Sequence, residues 1–174
     1  MSDQIMAKSF RLARMSPLIL TLTLLLLALP VVFLIGPLFG RPLYAAPALL
    51  ISAIYAWVWL RFRPSRFVVH RRGLEVIWPL KRRDIAREDI LNARVIDRHG
   101  LKEEIGWGMR VGAGGLWGGF GWLWTKRRGI VQMYVSRTDR FVWIEPAVGR
   151  PWLITPEQPE TLVRALSGEE VKTG

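Results

Sequence analysis

The sequence predicts two membrane-spanning helices followed by one antiparallel β domain that a C-terminal helix closes. Three observations support this fold class. Residues 15–40 and 42–60 carry no charge, and each run is long enough to cross a hydrocarbon core of about 30 Å. After residue 61, short runs rich in β-branched and aromatic residues alternate with turn residues, as in β-strands. Near the C terminus, Leu162, Val163 and Leu166 predict the apolar face of a helix.

Composition allows one small folded domain beside the membrane segment. The chain has 174 residues and no cysteine, which excludes disulfides, thiolate metal sites and a cysteine nucleophile. The net charge is +11, and residues 1–60 hold four basic and one acidic side chain, which leaves +8 on the rest. A basic domain next to a bilayer favours anionic lipid headgroups as its partner. Nucleic acid, the competing anionic partner, is not expected.

The charges predict the topology of the chain. Residues 1–14 form an N-terminal flank with three basic side chains, and Arg41 alone separates the two apolar runs, whereas five arginines follow residue 60 within twelve positions. By the positive-inside rule, the connector lies outside and both termini are cytoplasmic. The segment Ala46-Pro47-Ala48 would suit signal-peptide cleavage. That alternative is less favoured, because the first run exceeds a signal core and a second span follows.

The hairpin of residues 15–60 has the sequence of an anchor. Pro30 is expected to kink the first span, which runs over residues 17–39, and glycines and prolines from position 36 to 42 form the turn. Tyr44, near one end of the second span, and Trp57 and Trp59, near the other, are typical interfacial anchors. Neither span contains an ionisable residue, which argues against an ion or proton pathway.

The β domain is predicted over residues 61–167, and a loose polar tail over 168–174. Strands are expected at residues 66–70 and 74–78, which form a hairpin, at 81–85, at 92–97, and at 152–154. A second hairpin is expected between 130–137 and 141–145, turning at Thr138-Asp139. A short helical turn is expected at 87–90, and Thr155 is expected to cap the last helix, with Pro156 at its first position.

Residues 106–121 are the most unusual stretch, because eight of the sixteen are glycine. Such density permits bulges, tight turns and close backbone approaches. The tryptophans of this run, Trp107 and Trp117, and the following Trp122 admit two interpretations. They could dip into the membrane interface or dock a partner. Alternatively, they pack in or over the β domain while the glycines make tight turns. This second interpretation is favoured, because a small domain needs large side chains for its core.

About seven short strands closed by a C-terminal helix resemble a pleckstrin-homology-like barrel or sandwich. The chain also resembles bacterial PH-domain proteins in which a two-helix membrane hairpin precedes the β domain. The residues that carry this resemblance are Phe67-Val68-Val69, Gly73-Leu74-Glu75-Val76, Arg110-Val111-Gly112, and Thr155-Pro156-Glu157-Gln158-Pro159-Glu160. The resemblance implies a bacterial inner-membrane protein. Eukaryotic relatives recognise inositol phosphates through basic residues of the first hairpin. Arg71 and Arg72 occupy it here, but the fuller spaced pattern is absent, so phosphoinositide binding is not implied.

Two further groups of basic residues could face the cytoplasmic leaflet. The first comprises Arg61, Arg63, Arg66, Lys81, Arg82 and Arg83, of which Arg61 to Arg66 are already accounted for by membrane topology. The second is Lys126, Arg127 and Arg128. Lipid-headgroup or partner contact is therefore expected at Arg71, Arg72, Lys126, Arg127, Arg128, Trp107, Trp117 and Trp122.

No catalytic, cofactor or metal site is expected. The glycine run lacks the lysine and hydroxyl residues of a phosphate loop. His70 and His99 fall in a predicted turn and a predicted loop, no Gly-x-Ser-x-Gly motif is present, and two histidines with scattered carboxylates do not predict a metal cluster. Glu103-Glu104 is interpreted as a solvated turn and not as an acid-base pair.

The sequence therefore predicts a non-enzymatic scaffold or sensor at the cytoplasmic face of the membrane. Its partners would be the lipid bilayer and possible membrane proteins or further copies of itself. An alternative is an accessory subunit of a larger membrane complex, docking through its spans and its Gly/Trp-rich surface. An enzyme with an unrecognised site is a second alternative.

Overall fold

A computed structural model describes residues 7–168 of the chain. The two predicted spans are helical: α1 covers Pro17–Leu38, a 3-10 turn covers Pro42–Tyr44, and α2 covers Ala45–Arg61. The Tyr55 hydroxyl donates a hydrogen bond of 2.9 Å to the Leu26 carbonyl and ties the two helices together. Helix α1, and α2 together with the preceding 3-10 turn (Pro42–Arg61), are each long and apolar enough to cross a bilayer. Most of their large apolar side chains are exposed, unlike those of a core helix in a soluble protein.

The first sheet has four antiparallel strands in the order β1-β2-β3-β4. They are β1 (Lys8–Arg11), β2 (Arg66–His70), β3 (Gly73–Ile77) and β4 (Arg82–Ala86). The hairpin of β2 and β3 was predicted, whereas β1 lies within the segment expected to be only a flank. Phe10 of β1 pairs with Phe67 and is 4% exposed. Strand β1 is therefore part of the core.

The second sheet has six strands in the order β5-β9-β10-β8-β7-β6. They are β5 (Ile90–Ile96), β6 (Gly108–Gly114), β7 (Gly119–Thr125), β8 (Gly129–Val135), β9 (Phe141–Pro146) and β10 (Trp152–Ile154). The Gly-rich run forms most of the hairpin of β6 and β7. The two sheets pack face to face and do not close into a barrel, so of the two predicted forms the sandwich describes this domain.

The second predicted hairpin was wrong, because β10 lies between β8 and β9. It pairs antiparallel with β9 and parallel with β8. The physical reason is that Trp152, Leu153 and Ile154 are all buried, since a continuous apolar run belongs in the centre of a sheet covered on both faces. Trp152 and Ile154 enter the core between the sheets, and Leu153 enters a second core on the other face.

Two helices cover the sheets. Helix α3 (Arg98–Ile105) covers the second core, and α4 (Pro159–Ser167) closes the core between the sheets. The start of α4 differs from the prediction: the Thr155 hydroxyl accepts a 2.8 Å hydrogen bond from the Ser136 amide, and Glu157 N–H donates to the Arg11 carbonyl. Residues 155–157 therefore precede the helix, which begins at Pro159. The predicted tail lies outside the described residues apart from Gly168.

Helix α3 replaces a predicted loop and turn. Its N-cap is Asp97, whose side chain accepts a 2.7 Å hydrogen bond from the Gly100 amide. Glu103 and Glu104 lie on this helix and not in a turn, and Glu104 forms ion pairs with Arg94 and Arg128. His99 lies 3.6 Å from Glu103 in an exposed pair one helical turn apart. Since both groups are solvated and Glu104 is already paired, nothing here indicates an acid-base pair.

Candidate lipid-contact site

The helical hairpin joins the β domain at one end, which we call the helix-proximal end. Strand β1 leads into α1, and β2 follows α2 after only four residues. The register pairs Arg11 with Arg66, Arg66 with Ile77, and Ile77 with Arg82. These four residues thus form one row across the first sheet next to the helices. The opposite end of the sheet carries the turn between His70 and Gly73.

We call the cations at this end of the first sheet the proximal cationic cluster; they are Arg11, Arg61, Arg66, Lys81, Arg82 and Arg83. Arg82 shares the face of the row, whereas Arg83 lies on the opposite face of β4 and donates a 2.8 Å hydrogen bond to the Gln132 side-chain oxygen. Burial, and then the positive charges of Arg61 and Arg83, lower the pKa of Lys81. Among the described residues, Glu75 is the one carboxylate within ion-pair distance of the cluster, 3.5 Å from Arg82. The cluster is therefore an electrostatic site that an anion would stabilise.

Arg11 and Arg66 add a further repulsion between cations in the cluster. They face each other on neighbouring strands, and like charges in that position are destabilising. The turn between β3 and β4 forms one wall of an open cavity of about 560 Å³ that Arg66 also lines. Leu80 at the tip of that turn is 58% exposed. An exposed apolar tip among cations suits contact with a bilayer surface, where apolar and anionic groups lie side by side.

Aromatic rings line the junction between the helices and the β domain. The Arg63 guanidinium lies 4.2 Å from the ring centre of Trp59, and burial lowers its pKa. Trp59 in turn meets Trp117 edge to face at 4.7 Å. The Trp78 ring nitrogen donates a 3.0 Å hydrogen bond to the Phe62 carbonyl. These contacts fix the β domain against the end of α2.

The tip of the β6–β7 hairpin docks on α1 through Thr23. The Thr23 hydroxyl accepts a 2.9 Å hydrogen bond from the Trp117 amide. It lies 2.7 Å from the Ile19 carbonyl and 3.0 Å from the Gly115 carbonyl, so its proton is shared between them. The sequence analysis did not predict these hydrogen bonds between Thr23 and the hairpin tip. The only available signal was a hydroxyl residue within an apolar span.

The structure does not gather the predicted contact residues into one site. Arg71 and Arg72 lie in the β2–β3 turn, at the end of the sheet away from the helices. Lys126, Arg127 and Arg128 lie in the β7–β8 turn, about 20 Å along β7 from the hairpin tip. Arg127 donates to the Glu103 carbonyl. Headgroup contact at these two turns stays a prediction.

The three tryptophans of the predicted contact site also differ in position and exposure. Trp117 is half-buried against Trp59 and the core between the sheets, so its packing agrees with the second interpretation of the Gly/Trp run. Trp107 is 69% exposed and Trp122 is 49% exposed. Trp122 belongs to an exposed apolar face of the sheet, which also comprises Met109, Val111, Trp124 and Ile130. These two tryptophans remain free to meet a membrane or a partner.

One group of potential metal ligands does come together, contrary to the expectation of scattered side chains. His70, Glu75 and Asp84 each offer one ligand atom, and these atoms lie within 4.8 Å of one another. The pairing of adjacent strands causes this, since Glu75 faces Asp84 across β3 and β4. A histidine with two carboxylates could hold a divalent transition metal. Arg82 beside Glu75 competes with such a cation.

Comparison with known proteins places the β domain in a family. The family described as "Bacterial PH domain" matches residues 65–170, more than half of the chain. No curated protein and no solved structure matches. The matched region comprises nine of the ten strands together with α3 and α4.

Proposed function

The chain belongs to the bacterial PH domain family, and on that premise we propose that it is a membrane-anchored scaffold or sensor that binds anionic lipid headgroups. In this proposal α1 and α2 cross the inner membrane, and the β domain lies on the cytoplasmic side. The protein performs no catalysis. It acts by raising the concentration of the β domain, and of any partner that the β domain binds, at the membrane surface.

The observation that carries the proposal is the proximal cationic cluster, six cations with one carboxylate partner among the described residues. Each Lys or Arg close to an anionic membrane surface contributes about 1 kcal/mol of attraction. The cluster lies where the chain leaves the predicted membrane segment, so headgroup phosphates would approach it first. Neutralising the repulsion around Lys81 stabilises the bound state further.

Strand pairing supports the orientation independently of the positive-inside rule. Strand β1 precedes α1, β2 follows α2, and the two strands are neighbours in one sheet. The segments on either side of the hairpin must therefore lie in the same compartment. If the helices span the membrane, they do so as a pair, and the tether then holds the cluster at high effective concentration against the leaflet.

We expect the double variant Arg66→Gln/Lys81→Gln to bind phosphatidylglycerol about 30-fold more weakly than the unmodified chain, since two cations are lost. Neither residue has a carboxylate partner among those described, so the fold is expected to persist. The measurement is native mass spectrometry of the full chain in a mild non-ionic detergent, titrated with phosphatidylglycerol and, for reference, phosphatidylcholine.

The matched control is Lys126→Gln/Arg127→Gln, which removes the same charge from the β7–β8 turn. Its phosphatidylglycerol affinity is expected to stay within about threefold of the unmodified chain, because these cations lie far from the helices. An unchanged affinity in the first variant would contradict the proposal. A loss confined to the control would instead assign headgroup contact to the β7–β8 turn.

The exposed apolar face favours a second candidate, an accessory subunit of a larger membrane complex. Met109, Val111, Trp122 and Trp124 form contiguous cross-strand pairs, and β6 is an edge strand that another chain could extend. Purification from native membranes in mild detergent tests this candidate. A stoichiometric protein partner that Trp122→Ser/Trp124→Ser removes would favour the subunit over the lipid sensor.

A further inference from the structure

A cavity of about 360 Å³ lies between the first turns of α1, helix α3 and the second sheet. It is on the face of that sheet opposite the core between the sheets and apart from the proximal cationic cluster. Its volume falls in the range of about 300–1,000 Å³ that is usual for small-molecule sites. It is thus large enough to hold part of a ligand.

The walls of this cavity are mainly hydrocarbon. Leu18 and Leu22 of α1 form one side, Leu101 and Ile105 of α3 form another, and Leu123 of β7 contributes to the floor. Leu18 and Leu22 are themselves exposed, because they also face outward from the predicted span. The cavity therefore adjoins the surface of the helix that would contact lipid.

Three arginines, Arg98, Arg110 and Arg137, and no carboxylate line the cavity. Arg110 makes no hydrogen bond or ion pair with any residue between 7 and 168. Its guanidinium carbon would lie 3.3 Å from a side chain at Gly119, so the glycine leaves it room at the wall. Arg137 is held by the carbonyls of Asp139 and Arg140, its Nε lies 3.9 Å from the exposed Asp139 carboxylate, and burial lowers its pKa.

Cations at the edge of an apolar cavity are complementary to a molecule with an anionic head and a hydrocarbon chain. We propose that this cavity binds one hydrocarbon chain of an anionic amphiphile, with that chain against Leu101 and Ile105 and the carboxylate or phosphate at Arg110 and Arg137. The ligand is either a free fatty acid or one chain of an anionic phospholipid, which would enter along α1. The site goes beyond the headgroup contact proposed above and does not depend on it.

Photolabelling of the full chain in phosphatidylcholine nanodiscs tests this site. The probes are a diazirine-bearing palmitate and a diazirine-bearing phosphatidylglycerol, and labelled residues are mapped by peptide mass spectrometry. We expect saturable labelling on α3 and on the cavity face of the sheet. The probe whose labelling saturates at the lower concentration shows whether the bound hydrocarbon chain belongs to a fatty acid or to a phospholipid. A diazirine-bearing phosphatidylcholine that labels the cavity equally well would overturn the role of the arginines.

Two variants keep the test independent of folding. Leu101→Trp fills the cavity and is expected to abolish this labelling. Arg110→Gln breaks no hydrogen bond or ion pair with the described residues and is expected to raise the half-saturating probe concentration about tenfold, as for loss of one charged hydrogen bond. The matched control Arg164→Gln, at an exposed position of α4, leaves labelling unchanged. Labelling confined to the outer surface of α1 and α2 and equal in all variants would overturn the proposal.

The same measurement separates this site from the proposed headgroup contact. Arg66→Gln/Lys81→Gln is expected to weaken phosphatidylglycerol binding in detergent while palmitate still labels the cavity. Labelling that disappears only in the Arg66→Gln/Lys81→Gln variant would assign the probe to the proximal cationic cluster and overturn the cavity site.

Discussion

Gly73→Ala is expected to cost about 3 kcal/mol or more of unfolding free energy. Gly73 begins β3 with φ at +144°, a region that L side chains rarely adopt. An added Cβ would lie 1.9 Å from the Ile85 carbonyl oxygen and 2.9 Å from the Arg87 amide nitrogen. Both are backbone atoms of the paired segment, so β3 and β4 would have to separate to admit it.

The readout is thermal unfolding of the full chain in detergent, followed by tryptophan fluorescence. A loss of that size lowers the melting temperature by about 6–12 °C for a protein of this length. The matched control is Gly129→Ala, whose φ is also positive, at +65°, but whose Cβ would meet nothing within 4 Å. It is expected to cost only about 1–2 kcal/mol for the backbone conformation. Equal shifts in the two variants would contradict the contact argument.

Thr23→Val is expected to release the tip of the β6–β7 hairpin from α1. Thr23 is 2% exposed, and valine keeps its shape while removing the hydroxyl. The Trp117 amide then loses its acceptor and the Gly115 carbonyl loses a donor. Each unsatisfied buried group costs about 1–3 kcal/mol, so hydrogen exchange across residues 112–120 should accelerate about tenfold or more.

Hydrogen exchange of the full chain in detergent, read by mass spectrometry, measures this release. Thr21→Val serves as the control, because Thr21 is exposed on the same helix. It is expected to leave exchange at the hairpin tip unchanged. Equal protection at Trp117 in the Thr23→Val variant and the unmodified chain would show that packing of Trp117 on Trp59, and not the hydroxyl, holds the tip.

Much of the fold could be predicted because local patterns determine it. The two helices follow from long uncharged runs, and the β2–β3 hairpin follows from β-branched residues around a glycine turn. Strand β1 was missed because only Phe10 and Leu12 alternate among basic residues that topology already explained. Helix α3 was missed because Gly100 lowers its helix propensity, although Asp97 was an available cap signal.

The candidate site was less predictable, because strand register decides which charges meet. Arg11 and Arg66 are separated along the sequence by both helices, yet they face each other across β1 and β2. Likewise, the position of β10 required knowing that all three of its residues are buried. By contrast, the basic turns at Arg71 and Lys126 were evident from the sequence, but the structure places them away from the helices.

The pairing of β1 with β2 also constrains how the protein is made. During synthesis β1, which contains Phe10, leaves the ribosome first. Its partner strand β2 is made only after α1 and α2 have been synthesised. The first sheet cannot be completed during that interval, so the core around Phe10 stays open until the residues after α2 have been synthesised. Assembly of the β domain is therefore a late step in biogenesis, completed only after both helices have been synthesised.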